Sequence, residues 1–462
     1  MRRALFTALV LAVLALPASA GAATRWVVKG GGFGHGIGMS QYGAYGLAQQ
    51  GVGYKDILAH YYTGIDIGRT KTQTIRVLLQ ANRSQVSFTG ATRAGARKLK
   101  AASTYFARVK GAGIELRDRR GKSLGTYGAP VQVSAAGGLV RVGGAALNGM
   151  TDGTYRGGIE LRPSQGGGTT VVNTVGLDDY VMGVVPGEMP SSWDPEALKA
   201  QAVAARSYAL ATDAGGAVFD QYPDTRSQMY KGVDGEVGST NAAVRDTARE
   251  VATYNGAVAT TYFFSSSGGH TENVENVFYG SNPVPYLKGV DDPTDGISPR
   301  HRWTFIYTQA ELEAKLRPYL RGKLKAVKVR KRGTSPRIVS ADVVGTQGTR
   351  RVTGTNLRQA LGAYDNWMTF KRVSTDATRK VDASKVGLAA LVFGGKRGVV
   401  GAVVPAPAGH RIVIERRDSR GRWKRVRVAH TDARGGYDVY LHATGTHRVR
   451  GGGVTGPAVR VT

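Results

Sequence analysis

Glu188 is the residue of this sequence best placed to move a proton. Its neighbours Val184, Val185, Pro186, Met189, Pro190 and Trp193 are apolar, and no basic residue stands locally to pair with it. The segment reads as an apolar loop just before a helix. A carboxyl held against aliphatic and indole surface resists ionisation, so its pKa rises. A carboxylic acid that keeps its proton is what a glycosidic bond needs as donor. A second reading stands open beside it: backbone N–H groups near the helix start would bond the carboxylate and lower its pKa. Glu196, in the first helical turn, is better explained by the helix dipole.

A glycine run supplies the next polar groups: Gly34-His35-Gly36-Ile37-Gly38-Met39-Ser40-Gln41-Tyr42-Gly43-Ala44. Alternate glycines let a backbone approach a ligand or another strand closely. The spacing is not GxGxxG and no strand–helix–strand unit surrounds it, so no dinucleotide is indicated. His35, with Ser40 and Gln41, reads either as a polysaccharide-contacting cleft wall or as a structural turn around a satisfied histidine. Arg206 is either a substrate clamp or the partner of a core acid. His270, after Gly268-Gly269, can orient a substrate but lacks partners at metal-ligand spacing. Ser265-Ser266-Ser267 lacks the GxSxG elbow, so a serine nucleophile is not supported. We expect no metal and no cofactor.

The elements that must position these groups are legible. Asp194 is an N-cap and Pro195 suits the first helical position, opening a helix to about Leu210. Its stripe of Leu198, Ala202, Ala205 and Ala209 predicts a helix buried on most sides. Helices are also expected over Tyr45–Gln50, Tyr54–Tyr62, Gln309–Arg317 and Asn356–Leu361. Residues 70–176 read as β-rich, and Ala257–Phe264 as a buried strand running into the Ser265–Thr271 loop. Residues 397–462 carry short strands at regular spacing, an all-β pattern met most simply by a small sandwich.

The chain has 462 residues, 41% of them hydrophobic, enough for more than one domain with a sizeable core. We expect an α+β fold: a β-rich domain over 24–373 with a buried Ala-rich helix, a connector over 374–396, and the small β domain over 397–462. Arg2-Arg3, the apolar run Ala4–Leu16 and Ala18-Ser19-Ala20 read as a secretory signal peptide over residues 1–23. No other stretch can span a membrane. The chain has no cysteine, so disulfides, thiolate chemistry and Cys-based zinc sites are excluded. The net charge is +30. Export argues against nucleic acid as the partner. It leaves anionic wall polymers and lipid head groups, or a solvated basic surface with no particular partner.

Three blocks together resemble the SpoIID/LytB family, the stage II sporulation protein D-like proteins. One is Asp179-Tyr180-Val181-Met182-Gly183-Val184-Val185-Pro186-Gly187-Glu188-Met189-Pro190 with Glu196–Tyr208. Another is Gly34–Ala44 with Ile57–Tyr62. The third is Ser267-Gly268-Gly269-His270-Thr271 with Pro285-Tyr286-Leu287. Ser227-Gln228-Met229-Tyr230-Lys231-Gly232 fits a shorter block, and the likeness covers roughly residues 26–372. The resemblance implies a protein acting on peptidoglycan, and with the leader reading we expect it to be secreted and cell-wall associated. It implies Glu188 as the catalytic residue, and we expect His35, Ser40, Gln41, Arg206, Gln228, Ser267 and His270 along the glycan.

The family's sporulation members are lytic transglycosylases; its LytB-type members are described as enhancers of an N-acetylmuramoyl-L-alanine amidase. Both activities therefore follow as expectations, with peptidoglycan strands, and a wall amidase in the second case, as partners. In many members the GHGxGMSQYGA block closes the domain, whereas here it lies at the start. That order is compatible with circular permutation if the domain ends lie close together. Some relatives bind zinc through Cys and His; the absence of Cys here implies no such site.

Overall fold

The computed structural model describes residues 24–374, 388–393, 396–402, 409–431, 436–441, 443–451, 454–456 and 458–461. The leader reading of residues 1–23 and much of the 374–396 connector lie outside the described residues. The fold is α+β, with several mainly antiparallel sheets and seven α-helices among the described residues. These are α1 (Gln41–Ala48), α2 (Tyr54–Tyr61), α3 (Leu177–Glu188), α4 (Pro195–Ala211), α5 (Gly238–Asp246), α6 (Gln309–Leu316) and α7 (Gly354–Leu361). No helix among the described residues is long and apolar enough to cross a membrane.

Helix α4 is the axis of the first core. The Asp194 carboxylate accepts the Glu196 N–H at 2.9 Å, and Pro195 takes the position where a missing N–H costs nothing. Every residue from Ala197 to Ala209 is buried except Lys199 and Tyr208. Alanine on most of that surface lets α1, α2, α3 and α5 all pack against it. Val203 and Leu198 fill what space remains; full burial of such side chains contributes roughly 1.5–3 kcal/mol each.

The β-rich span is one large antiparallel sheet. Its main path runs Ser123–Gly128, Gly113–Asp118, Tyr105–Lys110, Val86–Thr89, Val131–Val142, Thr154–Pro163, Thr169–Gly176, Thr74–Arg83. Alternation drives it: in Val131-Gln132-Val133-Ser134 the valines are buried and the polar residues exposed.

A second core gathers Trp26, Val28, Trp303, Leu312, Ile338, Val343, Leu357 and Met368. It joins α6 and α7 to the sheet of Leu324–Arg332, Ile338–Gly345 and Gly348–Thr353, and to the strands Trp303–Thr308, Thr24–Gly30 and Met368–Ser374. Thr24–Gly30 is the middle strand of its three, and Thr24 is the register partner of Ser374. The two ends of this region therefore lie side by side, the condition that a permuted order requires. Toward the C-terminus, the strands Arg411–Arg417 and Gly445–Gly451 share a third core with Val399, Val439 and Leu441 of a second sheet.

Three local expectations need correction. The first helix runs from Gln41 to Ala48 rather than from Tyr45, because the Ser40 hydroxyl caps it by accepting the Gly43 N–H. Ala257–Phe264 is not one strand. It is two short pieces, Ala257–Val258 and Phe263–Phe264, and the latter pairs in parallel with Met39–Ser40. Glu188 is not in a loop; it is the last residue of α3. Leu177, Tyr180, Val181, Val184 and Val185 form a buried helical face that carries the helix through Pro186 and Gly187.

Candidate active site

A cleft of about 630 Å³ lies between the elements of the first core and α7. Glu188 enters it from α3, Tyr208 from α4, Gln41 from α1 and Arg358 from α7. Phe33, His35, Tyr262, Phe264 and Phe278 give it aromatic walls, and Thr225–Ser227 close one side. Glu188 is the sole carboxylate among its lining residues.

The Glu188 carboxyl is under two opposed influences. Burial raises its pKa, and a bond from the Met229 N–H to Oε1, at 2.6 Å, pulls the other way. Burial wins, so the net direction is up. A place at the C-terminal end of α3 acts in the same direction as burial, since the negative end of the helix dipole disfavours an anion. Of the two readings left open by the sequence, burial prevails; the opposing N–H comes from Met229, 41 residues away, and not from the start of α4. The indole of Trp193 is not a lining group; it stacks on Tyr45 with centroids 4.5 Å apart.

Several residues hold this acid in place. Gln41 Nε2 donates to the Glu188 carbonyl at 3.1 Å and to Gln201 Oε1 at 3.3 Å. Gln228 accepts from the Tyr180 hydroxyl at 2.9 Å and donates to the Ala205 carbonyl at 3.3 Å, pinning the loop that presents Met229. Gly187 makes the approach feasible: a Cβ there would lie 2.7 Å from the Met229 carbonyl oxygen.

His35 lies in the wall with its ring among Tyr262, Phe264 and Phe278. Its Nδ1 accepts the Ile37 N–H at 3.1 Å. Burial, then the charges of Arg358 and Arg337, push its pKa down to about 3, so the imidazole stays neutral. The glycine beside it is sterically required. Gly36 has φ +88, and a Cβ there would meet Arg337 Nε at 2.4 Å.

The structure brings Glu188, His35 and Gln41 together in the cleft and places the other candidates elsewhere. Arg206 is fully buried. It donates to Asp178 Oδ1 at 2.7 Å, to the Glu250 carbonyl at 2.9 Å and to the Val244 carbonyl at 3.3 Å, tying α3, α4 and α5 together. Ser40 and Ser267 belong to a buried network around Asp292 and Asp295. The Ser40 hydroxyl donates to Asp295 at 3.0 Å and the Ser267 hydroxyl to Asp292 at 2.7 Å. Gln228 is buried behind the Met229 loop. The His270 ring bonds the Thr271 carbonyl at 2.5 Å and lies 3.7 Å from exposed Asp291. None of these five is among the lining residues.

The sequence reading missed Arg226, Tyr262, Phe278 and Arg358. Tyr262 stood in the segment read as a buried strand. Arg358 lay on an expected helix with nothing to mark it. Among the described residues no group of three or more His, Cys, Asp or Glu could hold a metal ion.

The family model described as stage II sporulation protein (SpoIID) matches residues 165–254, which include Glu188, Arg206 and Gln228. An uncharacterised protein of Brachyspira hyodysenteriae is 47% identical over 123 residues, 26% of this chain and 33% of its own length. Stage II sporulation protein D of Bacillus subtilis is 32% identical over 218 residues, 44% of this chain and 62% of its own. An amidase enhancer of the same organism is 42% identical over 134 residues, 29% of this chain and 17% of its own. The chain thus spans less than two thirds of the length of each of these relatives.

Proposed function

We propose that this chain, similar to stage II sporulation protein D and to an amidase enhancer, is a SpoIID/LytB-type peptidoglycan lytic transglycosylase. The observation that carries this reading is Glu188: a carboxyl with a raised pKa, alone of its kind in an aromatic-walled cleft. A hydrolase working through two carboxylates needs a second acid across the scissile bond. A transglycosylase does not.

Protonated Glu188 donates to the oxygen of the β-1,4 bond between N-acetylmuramic acid and N-acetylglucosamine. The bond breaks and positive charge develops at the muramic C1. The Glu188 carboxylate then takes the proton of that sugar's C6 hydroxyl. The C6 oxygen bonds to C1, a 1,6-anhydro ring closes, and Glu188 has its proton back. The Met229 N–H suits this cycle, because it steadies the anion formed midway.

The protein would act outside the cytoplasmic membrane, as the leader-like first 23 residues suggest. Its net charge of +30 would favour a polyanionic wall. A second reading is supported by the similarity to an amidase enhancer: a wall-binding protein that stimulates an N-acetylmuramoyl-L-alanine amidase. Mass spectrometry of glycan strands treated with purified protein separates the two. Anhydromuramic ends support the transglycosylase, reducing ends a hydrolase, and unchanged strands the enhancer.

A further inference from the structure

We propose that Arg358 recognises a carboxylate on the bound ligand, a specificity that rests on the glycan reading of this cleft. Arg358 is half-buried in the last turn of α7 and lines the cleft. Its guanidinium has no hydrogen bond or ion pair with a described residue. The acid whose charge reaches it, Asp365, is already committed: Oδ2 accepts from Arg337 at 2.8 and 3.3 Å, and Oδ1 accepts the Trp367 N–H at 2.9 Å. Two guanidinium groups therefore face one carboxylate, and their combined field is felt at His35.

Arg226 shows the contrast. It also lines the cleft, but Asp224 takes it at 2.9 and 2.6 Å, and its guanidinium lies 3.8 Å from the Tyr222 ring centroid. Glu188 offers Arg358 no compensation while it carries its proton. The cleft wall thus holds a cation with unused donors, and partial burial removes much of the water that would satisfy them. A guanidinium presents its donors as a planar fork, matched to the two oxygens of a carboxylate.

Peptidoglycan supplies that chemistry from two sources. The lactyl ether of a muramic residue ends in a free carboxylate where no stem peptide is attached, and stem peptides carry carboxylates of their own. Arg358 comes from the second core and Glu188 from the first, so one strand in the cleft would meet both. A purely structural role, a cation complementing the C-terminal end of α7, would be blind to the ligand's charge.

The test measures binding of fluorescently labelled strands to the full chain. Strands with and without stem peptides are each used with carboxylates intact or converted to primary amides. The unmodified protein should prefer the carboxylate form by about tenfold or more in at least one strand type, and that type names the source. Arg358→Gln should lose that preference. Lys328→Gln, which removes the same charge from an exposed strand position, should keep it. If Arg358→Gln does not fold, Arg358→Lys replaces it, and loss of the fork should cost severalfold of the preference. A preference equal in the variant and the unmodified protein overturns the role of Arg358 alone. No binding of any strand overturns the glycan reading and this proposal with it.

Discussion

The main-chain N–H of Met229 meets Glu188 Oε1 at 2.6 Å, across 41 residues of sequence. That one bond opposes the burial that raises the Glu188 pKa. The acid is therefore neither a bare buried carboxyl nor an anion fixed by several donors. It can hold a proton and then, once the proton has gone, hold the charge.

Glu188→Gln should retain the fold and lose cleavage. The amide oxygen still accepts the Met229 N–H, so the melting temperature should change little. Loss of the proton donor should lower the rate by about 10²–10⁴. Product analysis of strands and a thermal melt of the same variant check both statements. Wild-type levels of anhydro ends from the variant would remove Glu188 from the mechanism.

The pH profile follows from the direction of the Glu188 shift. Its pKa in the folded protein lies above its unfolded value, so ionisation works against the fold. The associated stability is fully present below the ordinary carboxylate range and is lost as pH rises through the raised value. Cleavage should fall along the same limb, because the donor must be protonated. Denaturant titrations of the protein and of Glu188→Gln across that range should differ in slope. Identical slopes would place the Glu188 pKa at its unfolded value.

His35 should be silent between pH 5 and 8. Burial and the neighbouring guanidinium groups hold it near 3, far from the usual histidine range. NMR of its ring resonances should show no titration step there. A step near pH 6.5 would mean that the wall is wetter and less positive than its packing implies.

Arg206→Ala should act on stability first. Its guanidinium serves Asp178 and two main-chain carbonyls from a fully buried position. Removing it takes the ion-pair partner from Asp178 and a charged donor from both carbonyls, at a cost of about 3 kcal/mol. Urea unfolding should show a shifted midpoint. A substrate clamp would instead raise KM with stability intact.

Gly187→Ala should disturb the site through the backbone. The new methyl group would sit 2.7 Å from the Met229 carbonyl oxygen, so the loop must retreat. Glu188 would lose its donor, and its pKa should rise further. The falling limb of the pH–rate profile should move to higher pH, with a rate loss of about tenfold. An unmoved limb would show that the loop yields without releasing Glu188.

Local chemistry accounts for what could be read early. Asp194, Pro195 and the alanine stripe define α4 because caps and 3.6-residue periodicity act over a few residues. The sequence reading gave the right direction for the Glu188 pKa, but the walls around the acid come from remote residues such as Phe33, Tyr262, Phe264 and Phe278. Helix α3 was missed: the Glu188 segment reads as a loop, but a buried face specified over the whole of Leu177–Glu188 makes it helical.

The sequence by itself determined an α+β chain, an alanine-lined central helix and one acid in apolar surroundings. Tertiary structure alone decided which polar residues reach that acid. It turned Arg206, Ser40 and Ser267 inward to satisfy buried partners. It brought the Met229 N–H to Glu188 and carried Arg358 into the cleft from a separate core. The physical reason is distance along the chain. A side chain's type and its near neighbours fix what it can do, but only packing between remote segments fixes which donor, cation or void it faces.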